Sequence, residues 1–339
     1  MLLVYFIMKN YKVINSHNLL HNLSQFNSKK VCAMVKANAY GHGVQEIVSI
    51  LSDRVECFGV ANEREGAIVR RYTQKPIIVV GKAQDYMLCR KHNLEIMVES
   101  LDGLKLAQKH HLETNCHLKI NCGMNRFGVK SIDQVQKIDE FSESNHIKLK
   151  SVFTHFSDTA NVQKTKDQYQ RFLMLKSVIS QDALVCFGGS GIIGYPFDFQ
   201  MIRVGIGLYG YESENLLPVM KIVSFVSKIF VANRGEYIGY GDKFLVKDDG
   251  FYAVVPVGYA DGLKRSLAGN FCVEIKGKMY RSVGNICMDV FFVMVDESVH
   301  ENDEVIVMSD AGQLAEKCKT ISYEILTGFL SFRGETKIE

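Results

Sequence analysis

Residues 31–54 read VCAMVKANAYGHGVQEIVSILSDR, and the order of features in this stretch decides the fold. Val31–Val35 is an apolar run of the length of a short buried strand. Lys36 ends it, and Gly41 and Gly43 suggest a sharp turn into the next element. From Val44 to Arg54 apolar residues recur at three and four, the spacing of an amphipathic helix. Strand, glycine turn and helix make one β/α unit.

The unit repeats outward along the chain. Short apolar runs follow at Cys57–Ala61, Pro76–Gly81, Glu95–Val98, Cys116–Ile120, Ser151–Phe156, Leu184–Phe187 and Met201–Tyr209. Helical patterns lie between most of them, at Glu63–Tyr72, Leu101–His110, Gln134–Phe141 and Gln168–Ile179. Eight strands alternating with helices is the count of a (β/α)8 TIM-like barrel, here of about 200 residues, the short end of the usual size. A doubly wound open sheet is the alternative, because both are built from the same repeat.

After about residue 215 the pattern changes. Lys221–Ala232, Phe251–Val257, Phe271–Tyr280, Ile286–Val295 and Glu304–Met308 read as strands, with turns at Asn233–Gly235 and Asp248–Gly250. A single helix is expected over Gln313–Gly328. The fold class is therefore α/β, with an N-terminal barrel over 8–215 and a C-terminal β-rich domain over 216–339. Met1–Met8 is an apolar run too short to span a bilayer and flanked wrongly for a signal peptide. It reads either as a strand joining the second domain or as a leader to a start at Met8.

Of the 339 residues, 47% are hydrophobic and 23% charged, which suits a folded protein rather than a disordered one. A net charge of +3 is too mild to point to nucleic acid. The nine cysteines contain no C-x-x-C pair, so neither a zinc site nor a disulfide framework is indicated, and a reducing, cytoplasmic setting is expected.

A barrel places its chemistry just beyond the strand C-termini. Lys36 follows the first run, Arg126 the fifth and Ser190 the seventh; His155 ends the sixth, and Arg203 with Gly205 lies in the eighth. A lysine leaving a strand is ordinarily a surface residue. At the end of so apolar a run, however, an unpaired ammonium is costly, and an amine engaged as an imine avoids that cost while supplying chemistry.

Val35-Lys36-Ala37-Asn38-Ala39-Tyr40-Gly41-His42-Gly43 closely resembles the cofactor-lysine motif of bacterial alanine racemases. The resemblance extends from about Tyr11 to Thr327 through Gly123–Gly128, Thr154-His155-Phe156, Arg203–Ile206, Gly258-Tyr259-Ala260-Asp261-Gly262, Cys287-Met288-Asp289 and Ser322-Tyr323-Glu324. It implies pyridoxal 5′-phosphate as cofactor, no metal, and interconversion of L- and D-alanine for peptidoglycan. Lys36 and Tyr259 are implied as the two acid/base groups on opposite faces of the substrate Cα. A phenol titrates near 10, and working near pH 7 asks for about 4 kcal/mol of differential stabilisation. His155 and Arg203 are implied to supply it, with Arg203 also on the pyridine nitrogen. The cofactor phosphate is implied to bind Tyr40, Ser190, Tyr323 and the amides of Gly205 and Ile206. Arg126 and the Met288 amide are implied to hold the substrate carboxylate, with Asp289 nearby and Lys119 matching a lysine that is carbamylated in some relatives. Tyr259 and Met288 are implied to reach the other subunit of a head-to-tail homodimer.

Several positions depart from the family pattern. Asn121-Cys122 stands for a common Asp-Thr, Gly189 for asparagine and Val204 for proline, and the stretch around Phe332-Arg333-Gly334-Glu335 is poorly matched. The rival readings are a racemase of another small amino acid such as serine, and a non-catalytic cofactor-binding barrel. The β-rich domain and Tyr259 weigh against the second.

Overall fold

The eight short runs are buried on both faces, and that is why they assemble as parallel strands. The computed structural model describes residues 9–339; the apolar run over 1–8 lies outside them. The first strand among the described residues is β1 (Tyr11–Ile14). The barrel strands are β2 (Lys30–Met34), β3 (Cys57–Val60), β4 (Ile77–Val79), β5 (Glu95–Val98), β6 (Cys116–Lys119), β7 (Ser151–His155), β8 (Leu184–Gly188) and β9 (Met201–Val204). They close in chain order, with β2 pairing β9 in parallel through Val31 and Ile202, Cys32 and Arg203, Ala33 and Val204. Closure excludes the open sheet.

Side-chain caps start the intervening helices. Asn62, Asp85, Ser100, Ser131 and Asn161 each accept from amides of the helix they precede, at about 1 kcal/mol per cap. The helix at Tyr86–Lys91 was not anticipated, being too short for a clear period. The eighth run is corrected: Met201–Tyr209 is strand to Val204 and a 3-10 turn from Ile206 to Tyr209.

A buried polar chain crosses three strands near their N-terminal ends. Ser151 Oγ meets His117 Nδ1 at 2.7 Å, and His117 Nε2 meets Glu95 Oε2 at 2.8 Å. Burial pushes the Glu95 carboxyl up, but His117 and Lys150 outweigh it and hold the group below its ordinary value. With its members mutually satisfied, this network is structural.

The chain divides into two units: residues 20–39 with 44–216, which hold the barrel, and the described residues 9–19 with 40–43 and 217–339. In the second unit β1 is joined by β10 (Met220–Phe225), β11 (Lys228–Ala232), β12 (Gly250–Val255), β13 (Cys272–Ile275), β14 (Lys278–Val283), β15 (Phe291–Val295), β16 (Glu304–Met308) and β17 (Glu335–Ile338). The sheet order is β11-β12-β15-β14-β13-β16-β10-β1-β17. Three expected elements divide. Lys221–Ala232 becomes β10 and β11, and Phe271–Tyr280 becomes the β13–β14 hairpin. The expected C-terminal helix becomes Ala311–Cys318 and Ser322–Gly328, broken where Lys319 takes φ +54. Ile286–Val295 is strand only from Phe291.

Candidate active site

The first barrel strand delivers Lys36 to the C-terminal rim, and the backbone then turns the wrong way. Ala37, Asn38, Ala39 and Tyr40 all have φ between 50° and 54°, a left-handed turn that costs L residues roughly 1–2 kcal/mol each. Contacts to its neighbours hold it. Ala39 N donates to Val35 O at 2.9 Å, Val44 N to Asn38 Oδ1 at 2.8 Å, and Ala37 N to Glu65 Oε1 at 2.9 Å. Burial lowers the Lys36 amine from its ordinary value; Arg126 and Arg203 lower it further while Glu65 opposes them. A lysine so placed is poised to be a nucleophile and a base.

Arg203 is buried at the centre of this rim. Its Nη2 donates to Thr154 O at 2.7 Å and its Nη1 to Cys186 Sγ at 3.3 Å. Its Cζ lies 4.4 Å from the centre of the Phe153 ring. His155 flanks it across Gly188: a Cβ there would sit 2.3 Å from both Arg203 Nη2 and His155 Nδ1. Burial, then Arg203, Lys119, Arg126 and Lys36, drive the imidazole well below its ordinary value. His155 is therefore a neutral hydrogen-bonding group, and the positive charge expected of the pair resides on Arg203.

Lys119 ends β6 at 5% exposure. Burial, with Arg203 and Arg126, lowers its amine to about 7. Arg126 itself is exposed on the following loop, whose path Asn121 fixes by accepting from Gly123 N and Asn125 N at 3.1 Å each. The departure to asparagine thus keeps the turn while removing a charge. Cys122 fills the neighbouring position with Sγ 3.0 Å from Thr154 Oγ1.

Beyond the seventh and eighth barrel strands two 3-10 turns meet, where barrels commonly bind phosphate. Gly189 takes φ +110, open to glycine without strain, and leads into the turn Ser190–Gly194. The buried Ser190 Oγ accepts from Gly207 N at 3.1 Å, in the turn that begins at Gly205 and Ile206. A Cβ on Gly207 would lie 2.7 Å from that Oγ. A buried hydroxyl against backbone amides suits a phosphate dianion. Together with a depressed lysine and a buried arginine, this donor set fits pyridoxal phosphate.

The second unit carries the remaining expected residues. Tyr40 and Tyr323 pack with ring centroids 5.9 Å apart, and the buried Lys12 donates to Gly41 O at 2.6 Å. Tyr259 opens the 3-10 turn Tyr259–Asp261, which is laced to the Met288 loop: Tyr259 N donates to Cys287 O and Ala260 N to Met288 O, both at 3.1 Å. Gly258 is required there, since a Cβ would meet Met288 O at 2.1 Å. Arg333 bridges the two loops, donating to both oxygens of buried Asp261 at 2.7 and 2.8 Å and to Asp289 Oδ1 at 2.7 Å. Tyr259 and Met288, 43% and 53% exposed, line an open concavity of about 1180 Å³ with Tyr240, Arg265 and Asn285.

Comparison with known proteins agrees with this layout. The profile described as "Alanine racemase, N-terminal domain" matches residues 14–213, and that described as "Alanine racemase, C-terminal domain" matches residues 219–334. The chain belongs to the alanine racemase family. It is 30% identical to the alanine racemase of Fusobacterium nucleatum, over 95% of this chain and 97% of that one. To the alanine racemase of Clostridium novyi it is 32% identical, over 92% and 91%. The crystal structure of alanine racemase from E. faecalis superposes with a TM-score of 0.91 at 26% identity, covering all of both chains. Among the described residues no helix is long and apolar enough to cross a membrane.

Three residues of the site were not identified from sequence. Glu65 sits three after Asn62, a spacing that signals a capping box; its carboxylate instead ties Ala61 N and Ala37 N. Gly188 reads as an ordinary strand end, and its lack of a Cβ matters through His155 and Arg203 alone. Arg333 falls in the stretch least like the alanine racemase pattern, yet it joins Asp261 and Asp289.

Proposed function

We propose that this chain interconverts L- and D-alanine on pyridoxal 5′-phosphate, as a homodimer in the cytoplasm, and so supplies D-alanine for peptidoglycan. The observation that carries the proposal is the position of Lys36 at the C-terminal end of the first barrel strand, on the rim where buried Ser190 and Arg203 also lie. Ser190, the amides of Gly205 and Ile206, Tyr40 and Tyr323 would hold the phosphate, and Arg203 the pyridine nitrogen. The cofactor, when bound, supplies the electron sink for the carbanion at Cα.

The chain's own groups then do the rest. Lys36 would hold the cofactor in the resting protein and, as a free amine once the substrate amine has taken its place, would carry a proton at Nζ on one face of the substrate carbon. Tyr259 of a second chain carries the other proton at Oη. Arg203 would face the pyridine nitrogen as a permanent cation, would discourage its protonation and would so favour return of the proton to Cα over transamination. Neutral His155 orients the phenol, while Arg126 and the Met288 amide bind the carboxylate. Half-exposed Tyr259 and Met288 on one open surface suit a role across a dimer interface.

The test is to add L-alanine to the cofactor-loaded protein in deuterated water. Loss of the α-proton signal and accumulation of D-alanine by chiral chromatography are expected. Absence of exchange with cofactor bound would favour a binding protein. A deletion strain, lacking any second racemase, is expected to require D-alanine.

Lys119 yields a further prediction. Its amine lies near 7, so the neutral form that attacks carbon dioxide gains population as the pH rises through 7. With ¹³C-bicarbonate, a carbamate resonance is expected to grow between roughly pH 6 and 8 and to be missing in Lys119→Arg. An occupancy independent of pH across that range counts against it.

A further inference from the structure

We propose that Glu65 is the positioning residue of Lys36: its carboxylate fixes the backbone that aims the amine and supplies the negative charge facing a cluster of cations. Its Oε1 takes Ala37 N at 2.9 Å, directly after Lys36, and its Oε2 takes Ala61 N at 2.8 Å, directly after β3. One side chain therefore ties the ends of two adjacent barrel strands, which pair through Met34 and Gly59. Glu65 is itself held, because its own N–H donates to Asn62 Oδ1 at 3.0 Å. The tie falls on the first residue of the left-handed turn, a conformation that L side chains rarely adopt. Without it the turn keeps its internal contact from Ala39 to Val35 and that from Val44 to Asn38, but no anchor to the neighbouring strand at Ala37.

The charge matters as much as the geometry. Arg126 and Arg203 face Lys36, and Glu65 opposes them. Lys119 and neutral His155 complete the group, both under the influence of the same arginines. Removing the carboxylate leaves Lys36 among cations, and its proton becomes easier to lose.

This inference rests on Lys36 as the working amine, so its test includes a measurement needing neither cofactor nor alanine. The chain stripped of cofactor is labelled with acetic anhydride across a pH series, and modification of Lys36 is read by peptide mass spectrometry. In Glu65→Gln the pH of half-maximal labelling is expected to fall by about one unit, and racemisation kcat to fall by about 10²-fold through misplacement of the amine, with KM little changed. Glu65→Asp keeps the charge with a shorter reach, so its labelling profile is expected to stay near the parent's while kcat still falls. Parent labelling and parent kcat in folded Glu65→Gln overturn the proposal. Should that variant fail to fold, the same pair of parent values in Glu65→Asp does so. If the loaded parent protein racemises nothing, yet labelling shifts in Glu65→Gln, the alanine reading fails while the charge and position of Glu65 stand.

Discussion

Tyr259→Phe is expected to bind pyridoxal phosphate with its visible absorbance intact and to lose about 10²–10⁴-fold in alanine racemisation, the usual worth of a general acid/base. The substitution removes one oxygen from a side chain that is 43% exposed and outside the core. Nothing that shapes the loop is touched. The backbone bonds from Tyr259 and Ala260 to the Met288 loop remain, as does the Arg333 bridge between Asp261 and Asp289. A fall in rate is thus attributable to the phenol rather than to a collapsed turn. The check is chiral chromatography from both enantiomers at matched cofactor occupancy. Interconversion at the parent rate would remove Tyr259 from the role of second base.

Gly188→Ala is expected to cost about 10²-fold in kcat and about 1–3 kcal/mol in stability through overpacking. The new methyl would stand 2.3 Å from His155 Nδ1 and from Arg203 Nη2, and 3.0 Å from Arg203 Cζ. The guanidinium has little room to retreat, since Thr154 O, Cys186 Sγ and the Phe153 ring surround it. The imidazole or the guanidinium must therefore shift. Gly250→Ala, in β12, is the matched control, because a Cβ there would meet its nearest neighbour, Asp248 O, at an ordinary 3.8 Å. Parallel thermal melts and kcat measurements should separate the pair. Equal activity in both variants would mean that the close approach of His155 and Arg203 is dispensable.

The barrel was legible because each of its strands is buried on both sides and bounded by turns, so hydrophobic runs coincide with elements. The positions of Lys36, Arg126, His155, Ser190 and Arg203 near strand ends were legible for a related reason: polar groups stand out at the ends of such runs. Hydrophobicity reports burial, however, and not direction. Phe271–Tyr280 looks continuous, but Lys276 and Gly277 take φ +51 and +76 and fold it into a hairpin. The left-handed turn at Ala37–Tyr40 left no compositional trace either, since two alanines are ordinary helix formers. Tertiary contacts override their preference. Glu65 meets Ala37, Gly188 lies against His155 and Arg203, and Arg333 meets Asp261 and Asp289; these partners are distant in the chain, and local spacing carries no record of them.

The placement of β1 has a consequence for biogenesis. Tyr11–Ile14 is flanked by β10 on one side and by parallel β17 on the other. A nascent polypeptide leaves the ribosome at about 5–20 residues per second, so every barrel strand emerges before either neighbour of β1 exists. Through that interval β1 waits with both edges bare, exposed to mispairing or to a chaperone. Among the described residues the β-rich unit thus contributes both the first strand and the last.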